Sequence, residues 1–92
     1  MLRFTLRIPE SGSLKDKRQV VRSVAQRLRN KYQVAVAEVD DNDAWQLATL
    51  GVTCVANTAA HCDQVLQEVQ RFVETSRLDA EVTDVESEVF SF

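Results

Sequence analysis

Apolar and polar residues alternate over positions 2–8, with Leu2, Phe4, Leu6 and Ile8 on one face and Arg3, Thr5 and Arg7 on the other. That period of two predicts a half-buried strand. The segment Pro9-Glu10-Ser11-Gly12-Ser13 breaks the pattern and reads as a loop. The period then changes. Leu14, Val21, Val24, Ala25 and Leu28 gather on one side of a helix over residues 14–31. Ser13 supplies its N-cap, and Asp16, three residues on, a weaker version of the capping-box acid. Residues 33–39 return to strand character, and Asp40-Asp41-Asn42-Asp43 reads as a polar turn. Residues 45–56 predict a longer strand with Ala48, Leu50, Val52, Cys54 and Ala56 sharing a face, and Gly51 within it marks a bulge or a close backbone approach. Asn57 or Thr58 can cap a second helix that runs to about Glu74, with Val65, Leu66, Val69, Phe72 and Val73 as its apolar stripe. Residues 80–90 predict a last strand of weaker alternation.

The order is therefore β-α-β-β-α-β. Two right-handed crossovers on that order give a four-stranded antiparallel sheet with both helices on one face. This is the ferredoxin-like plan, an α+β two-layer sandwich, predicted as a single domain over residues 1–92. Arg3, Thr5 and Arg7 then point away from the helices, as do several of Glu81, Thr83, Glu86 and Glu88, depending on the register of the last strand. The first and last strands are neighbours in this plan. Arg–Glu pairs across them are expected, each contributing roughly 0.2–1 kcal/mol where exposed. The open side of the sheet is thus polar, or it is an interface.

Composition sharpens this picture. The chain of 92 residues, 45% hydrophobic, is enough for one compact core. No apolar run is long enough to span a membrane, and residues 1–7 alternate instead of forming a signal peptide. Cys54 and Cys62 have no framework spacing and read as reduced thiols, so a cytoplasmic location is expected. The charge is polarised along the chain. Residues 1–31 carry 9 basic and 2 acidic groups, a net of +7, and residues 32–92 carry 2 basic and 12 acidic groups, a net of −10. Such asymmetry points to an anionic partner or to charge pairing within or between chains.

The basic first helix carries the leading candidate site. Lys15, Arg18, Arg22 and Arg29 fall in one stripe about 60° wide on a helical wheel, beside the apolar face, while Lys17, Arg27 and Lys31 lie elsewhere on the helix. Four cations without interleaved carboxylates repel one another unless something anionic lies against them, and RNA phosphate would serve. Lys15, Lys17, Arg18, Arg22 and Arg29 are accordingly the candidate nucleic-acid-binding residues; the alternative is a solvated face partly paired with the chain's own acids. Base stacking on the open sheet face, as in RNA-recognition motifs, is not expected, because the first strand's aromatic residue, Phe4, faces the helices.

Other clusters carry less. Trp45 is either an exposed anchor for a partner or a cap on the edge of the core. Asp40, Asp41 and Asp43 lack the Gly and the distant Glu of a calcium loop, so no metal is expected there. Cys62 falls in the first turn of the second helix, where an exposed thiol would be acidified. A nucleophile also needs a base, and His61 points about 100° away around the helix. With Gly12 and Gly51 as its only glycines, the chain has no phosphate loop. Catalytic residues and cofactors are therefore not expected.

Several segments carry a resemblance: Glu10-Ser11-Gly12-Ser13-Leu14-Lys15-Asp16-Lys17-Arg18, the run from Arg27 through Glu38-Val39, Trp45-Gln46, and Leu50-Gly51-Val52. The chain resembles the YlxP-like family of small uncharacterised bacterial proteins, from the first strand through the second helix. The resemblance implies a ferredoxin-like fold and brings no catalytic residues. Genes of that family often lie beside those of translation and transcription factors, including ribosome-binding factor A, which implies a ribosome-related role. Two positions depart from the family pattern: Gly12 stands where members commonly have His, and Leu47 where they commonly have Arg.

These readings predict a non-enzymatic binding module without a membrane partner. Its expected partner is ribosomal RNA or a ribosome-assembly intermediate. The competing expectation is a protein-interaction or self-associating domain, a homo-oligomer held by charge complementarity or by its open sheet face.

Overall fold

The structure is a computed structural model that describes residues 1–9, 11–40, 44–76 and 80–87, Asp40 by its backbone only. Its elements follow the predicted order: β1 (Leu2–Arg7), α1 (Leu14–Lys31), β2 (Ala35–Asp40), β3 (Leu47–Thr53), α2 (Ala59–Thr75) and β4 (Glu81–Ser87). The strands form one antiparallel sheet in the order β2-β3-β1-β4, the ferredoxin-like arrangement.

Alternation in β1 does what its period requires. Leu2, Phe4, Leu6 and Ile8 are buried, each at most 2% exposed. The register opposes Leu2 to Val52, Phe4 to Leu50 and Leu6 to Ala48, so β3 adds its own buried residues to the same face. Val24, Ala25 and Leu28 of α1 and Leu66, Val69 and Val73 of α2 close that face into one core. Full burial of a side chain of this size contributes roughly 1.5–3 kcal/mol, so this interlayer contact is the main favourable term in the fold.

Local chemistry sets the helix starts. The Ser13 side chain accepts from the Asp16 amide at 3.1 Å, as an N-cap should. The Asp16 carboxylate departs from the capping box: it accepts from the amide of Gly12, one residue before the cap, at 3.1 Å. A turn that ties the Ser11 amide to the Ile8 carbonyl brings Gly12 into reach. Thr58, of the two candidates, caps α2 by accepting from the His61 amide at 3.2 Å.

Strand limits differ from expectation in two places. β2 begins at Ala35 instead of Gln33, because the Val34 amide turns back to the Tyr32 carbonyl. β3 starts at Leu47 and stops at Thr53, well inside the expected 45–56. Residues 45 and 46 form a turn, although the Gln46 carbonyl still accepts from the Ile8 amide at 2.8 Å.

Both outer strands carry a register shift. In β4, Asp84 opposes Thr5 but Val82 opposes Leu6, so Thr83 is the extra residue. The shift lets Val82 and Val85, three positions apart, both pack against the core. That is the physical origin of the weak alternation in residues 80–90. In β2, Glu38 opposes Leu50 and Asp40 opposes Thr49, which leaves Val39 as the extra residue. Val39 swings over Gly51, and a Cβ built on Gly51 would lie 2.7 Å from Val39 Cγ1. The group that approaches Gly51 is thus the side chain of Val39.

Candidate nucleic-acid interface and the edge of the sheet

Helix α1 divides the candidate cations into three groups. Lys15, Arg18 and Arg22 are exposed, spaced three and four residues apart on one face, and make no ion pair with a carboxylate among the described residues. Arg29 is exposed as well, but its Nη2 donates to the Val36 carbonyl at 2.6 Å, on the outer side of β2. Lys17 corrects the expectation. It lies in the core-facing stripe, 5% exposed, with Nζ 3.4 Å from Oε2 of Glu38. Positions 14, 17, 21, 24 and 28 share one helical face. Leu14 at its end is 44% exposed, whereas Lys17 fills the place of an apolar residue. Lys17 is therefore turned away from any surface a phosphate backbone could reach. The signal was present in the sequence as a cation at an apolar spacing and a carboxylate, Glu38, two residues from the buried Val36.

The open sheet face has two halves. On β1 and β4, Arg3 opposes Glu86 and Arg7 opposes Glu81, with a contact of 3.8 Å between Arg7 Nη1 and Glu81 Oε2. Both side chains of that bridge are more than half exposed, so water screens it and its contribution is small. The Thr5 and Thr49 hydroxyls meet at 3.2 Å in the middle of the face. On β2 the exposed residues are Ala35, Ala37 and Val39, the last 43% exposed. Arg3, Thr5, Arg7 and Thr49 offer no ring for base stacking.

Between α1 and β2 lies a cleft of about 270 Å³. Val21, Ala25, Val36 and Leu50 line its floor, and Arg22 and Arg29 its rim. A second concavity of about 410 Å³ sits where Lys31, Tyr32, Arg71 and Phe72 converge. There Lys31 Nζ rests 4.6 Å from the centroid of the Phe72 ring, and the Tyr32 and Phe72 rings meet edge to face at 6.1 Å. Burial, reinforced by Glu68 and opposed by Arg71, pushes the Tyr32 hydroxyl above the usual phenol range.

Trp45 is 53% exposed and lies in the turn before β3, not in its ladder. His61 is exposed, and its backbone amide donates to the capping Thr58 hydroxyl. The Cys62 thiol donates to the Cys54 carbonyl at 3.3 Å. Burial first, then the hydrogen bond and the charge of Cys62, push the Cys54 thiol up from its ordinary value. Asp41 and Asp43, and the side chain of Asp40, lie outside the described residues. Among the described residues no group of three His, Cys, Asp or Glu is placed to hold a metal, and no helix is long and apolar enough to cross a membrane.

The fold and surface define a small ferredoxin-like α+β domain with a basic helix over one sheet edge. The signature of DUF503, described as a protein of unknown function, matches residues 1–87. The uncharacterized protein YlxP of Bacillus subtilis (strain 168) is 32% identical over 68 residues, which cover 74% of each chain. The chain belongs to this YlxP-like family.

Proposed function

We propose that the protein is a non-enzymatic, cytoplasmic binding module whose first helix docks on the phosphate backbone of RNA. The single observation that supports this reading is the exposed triplet Lys15, Arg18 and Arg22, which shares a helix face and pairs with no described carboxylate. Contacts of this kind neutralise phosphates and release counterions with little sequence readout. The gene neighbourhood implied by the family resemblance makes ribosomal RNA, or an assembly intermediate that exposes it, the first RNA to test.

The experiment measures binding of the purified protein to ribosomal particles and to bare ribosomal RNA over a salt series. Wild type is compared with the double variant Arg18→Glu, Arg22→Glu. Binding that weakens steeply with salt and is lost in the double variant supports the reading. Absence of binding at low salt, or equal binding by the variant, overturns it. A hydrodynamic mass that falls with added salt would instead favour charge-driven self-association.

A further inference from the structure

The second surface of interest is the outer edge of β2. Among the described residues no strand pairs with it. The Val36 carbonyl points outward, since it accepts from Arg29. In an antiparallel ladder the amide and carbonyl of one residue point to the same side, and residues two apart repeat the direction. The amides and carbonyls of Val36 and Glu38 are therefore directed outward.

Arg29 holds a particular place here. Its guanidinium stands 2.6 Å from the Val36 carbonyl, where the backbone amide of a fifth strand would stand. A side chain on the rim of a cleft thus substitutes for an incoming donor. If a strand displaces it, the freed guanidinium swings to the helix side of that strand, next to Arg22. Side chains of the incoming strand that face the helix layer meet these two cations above the cleft, next to Val36, while the Glu38 carboxylate on the same side is engaged by Lys17. Those that face the open side lie beside Ala35, Ala37 and Val39, which are exposed. The two faces ask for opposite chemistry with the period of two that an extended chain supplies.

We propose that the β2 edge is a docking site for an extended protein segment in which acidic and apolar side chains alternate. The segment adds as a fifth strand, with its carboxylates toward Arg22 and Arg29 and its apolar side chains toward Ala37 and Val39. Main-chain bonds supply affinity and the alternating side chains supply selectivity. The register shift at Val39 limits the regular ladder to Ala35–Glu38, so the complex is short and exchanges readily. A second copy of the chain is a poorer occupant: two β2 edges paired about a twofold axis would bring Arg22 and Arg29 of both copies together. The site shares Arg22 with the proposed RNA-docking face, whereas Arg29 and the β2 backbone lie outside that triplet.

The test titrates wild-type protein with a capped peptide of alternating glutamate and valine and follows backbone amide signals by NMR. Shifts concentrated at Val36 and Glu38 are expected. A lysine–valine peptide of the same length, and a glutamate–valine peptide N-methylated along one edge, should each bind at least about tenfold more weakly, or about 1.4 kcal/mol. Arg29→Ala should weaken the glutamate–valine peptide several-fold, Arg29→Lys less, and Lys15→Glu not at all. Equal binding of the lysine peptide or no shift at β2 overturns the proposal. So does tighter peptide binding, or new self-association, in Arg29→Ala, because Arg29 would then be a guard against pairing.

Discussion

Lys17 and Glu38 each occupy a position where the pattern of their element asks for an apolar side chain, and they meet there 3.4 Å apart. The helix supplies a cation to the core side of α1, and the strand supplies a carboxylate to the core side of β2. The two sides are unequal, since the lysine side chain is 6% exposed and the glutamate 37%. Removal of one partner is therefore not equivalent to removal of the other.

Glu38→Gln takes the carboxylate from a buried ammonium and is expected to cost about 1–2 kcal/mol, a figure kept low because Glu38 is partly hydrated. Lys17→Met fills the apolar stripe and leaves Glu38 to water, so its cost should be less than about 1 kcal/mol. Urea unfolding of the two variants checks the order. Equal losses would mean that the pair is energetically symmetric.

At Gly51 the expected outcome is steric. Gly51→Ala places a methyl 2.7 Å from Val39 Cγ1, and valine is stiff about χ1. The loss should be roughly 1–2 kcal/mol. Val39→Ala should restore most of it in the double variant, and a double-mutant cycle by thermal unfolding reads that coupling directly.

Thiol chemistry follows from the raised Cys54 value. With the neutral form favoured by burial and by Cys62, alkylation of Cys54 by iodoacetamide should be slower at about pH 8 than that of an ordinary thiol and should speed up as pH rises. Cys62→Ala removes the second and third causes and should make Cys54 react faster at the same pH. The linkage has a definite sign. The folded value lies above the unfolded one, so the stabilisation is full below the unfolded value and is lost as pH rises through the folded one. Denaturant melts from neutral pH into the alkaline range should show that loss, smaller in Cys62→Ala.

RNA docking by three cations has its own signature. A footprint of Lys15, Arg18 and Arg22 on single-stranded RNA gives a slope of about −2 in log affinity against log salt. Each single reversal should flatten that slope. Lys17→Met should leave it unchanged because Lys17 is buried. A flatter slope in Lys17→Met would place that ammonium at the RNA after all.

Much of the fold was legible because period and capping are local signals. The alternation of Leu2 to Ile8, the span of α1 and the caps at Ser13 and Thr58 all follow from residues near in sequence. The candidate site was legible only in part. Lys15, Arg18 and Arg22 lie where a helical wheel places them, whereas the roles of Lys17 and Arg29 depend on β2, a strand distant in sequence whose register no helical wheel contains. The shift at Thr83 was hidden for the same reason: only pairing with β1 shows that Val82 and Val85 share a face. Trp45 was ambiguous until the first residue of β3 was known.

The central place of β1 has a consequence for how the domain folds. Leu2 pairs with Ser87, so β1 finds one of its two partner strands only by closing nearly the whole sequence distance of the domain. Until then β1 can be held by β3 alone, and the sheet keeps an unclosed flank that exposes the backbone of Leu2–Arg7. Such sequence-distant closure slows folding. Truncation before Glu81 should therefore cost far more than the small, half-exposed surface of β4 implies, because it turns an interior strand into a border.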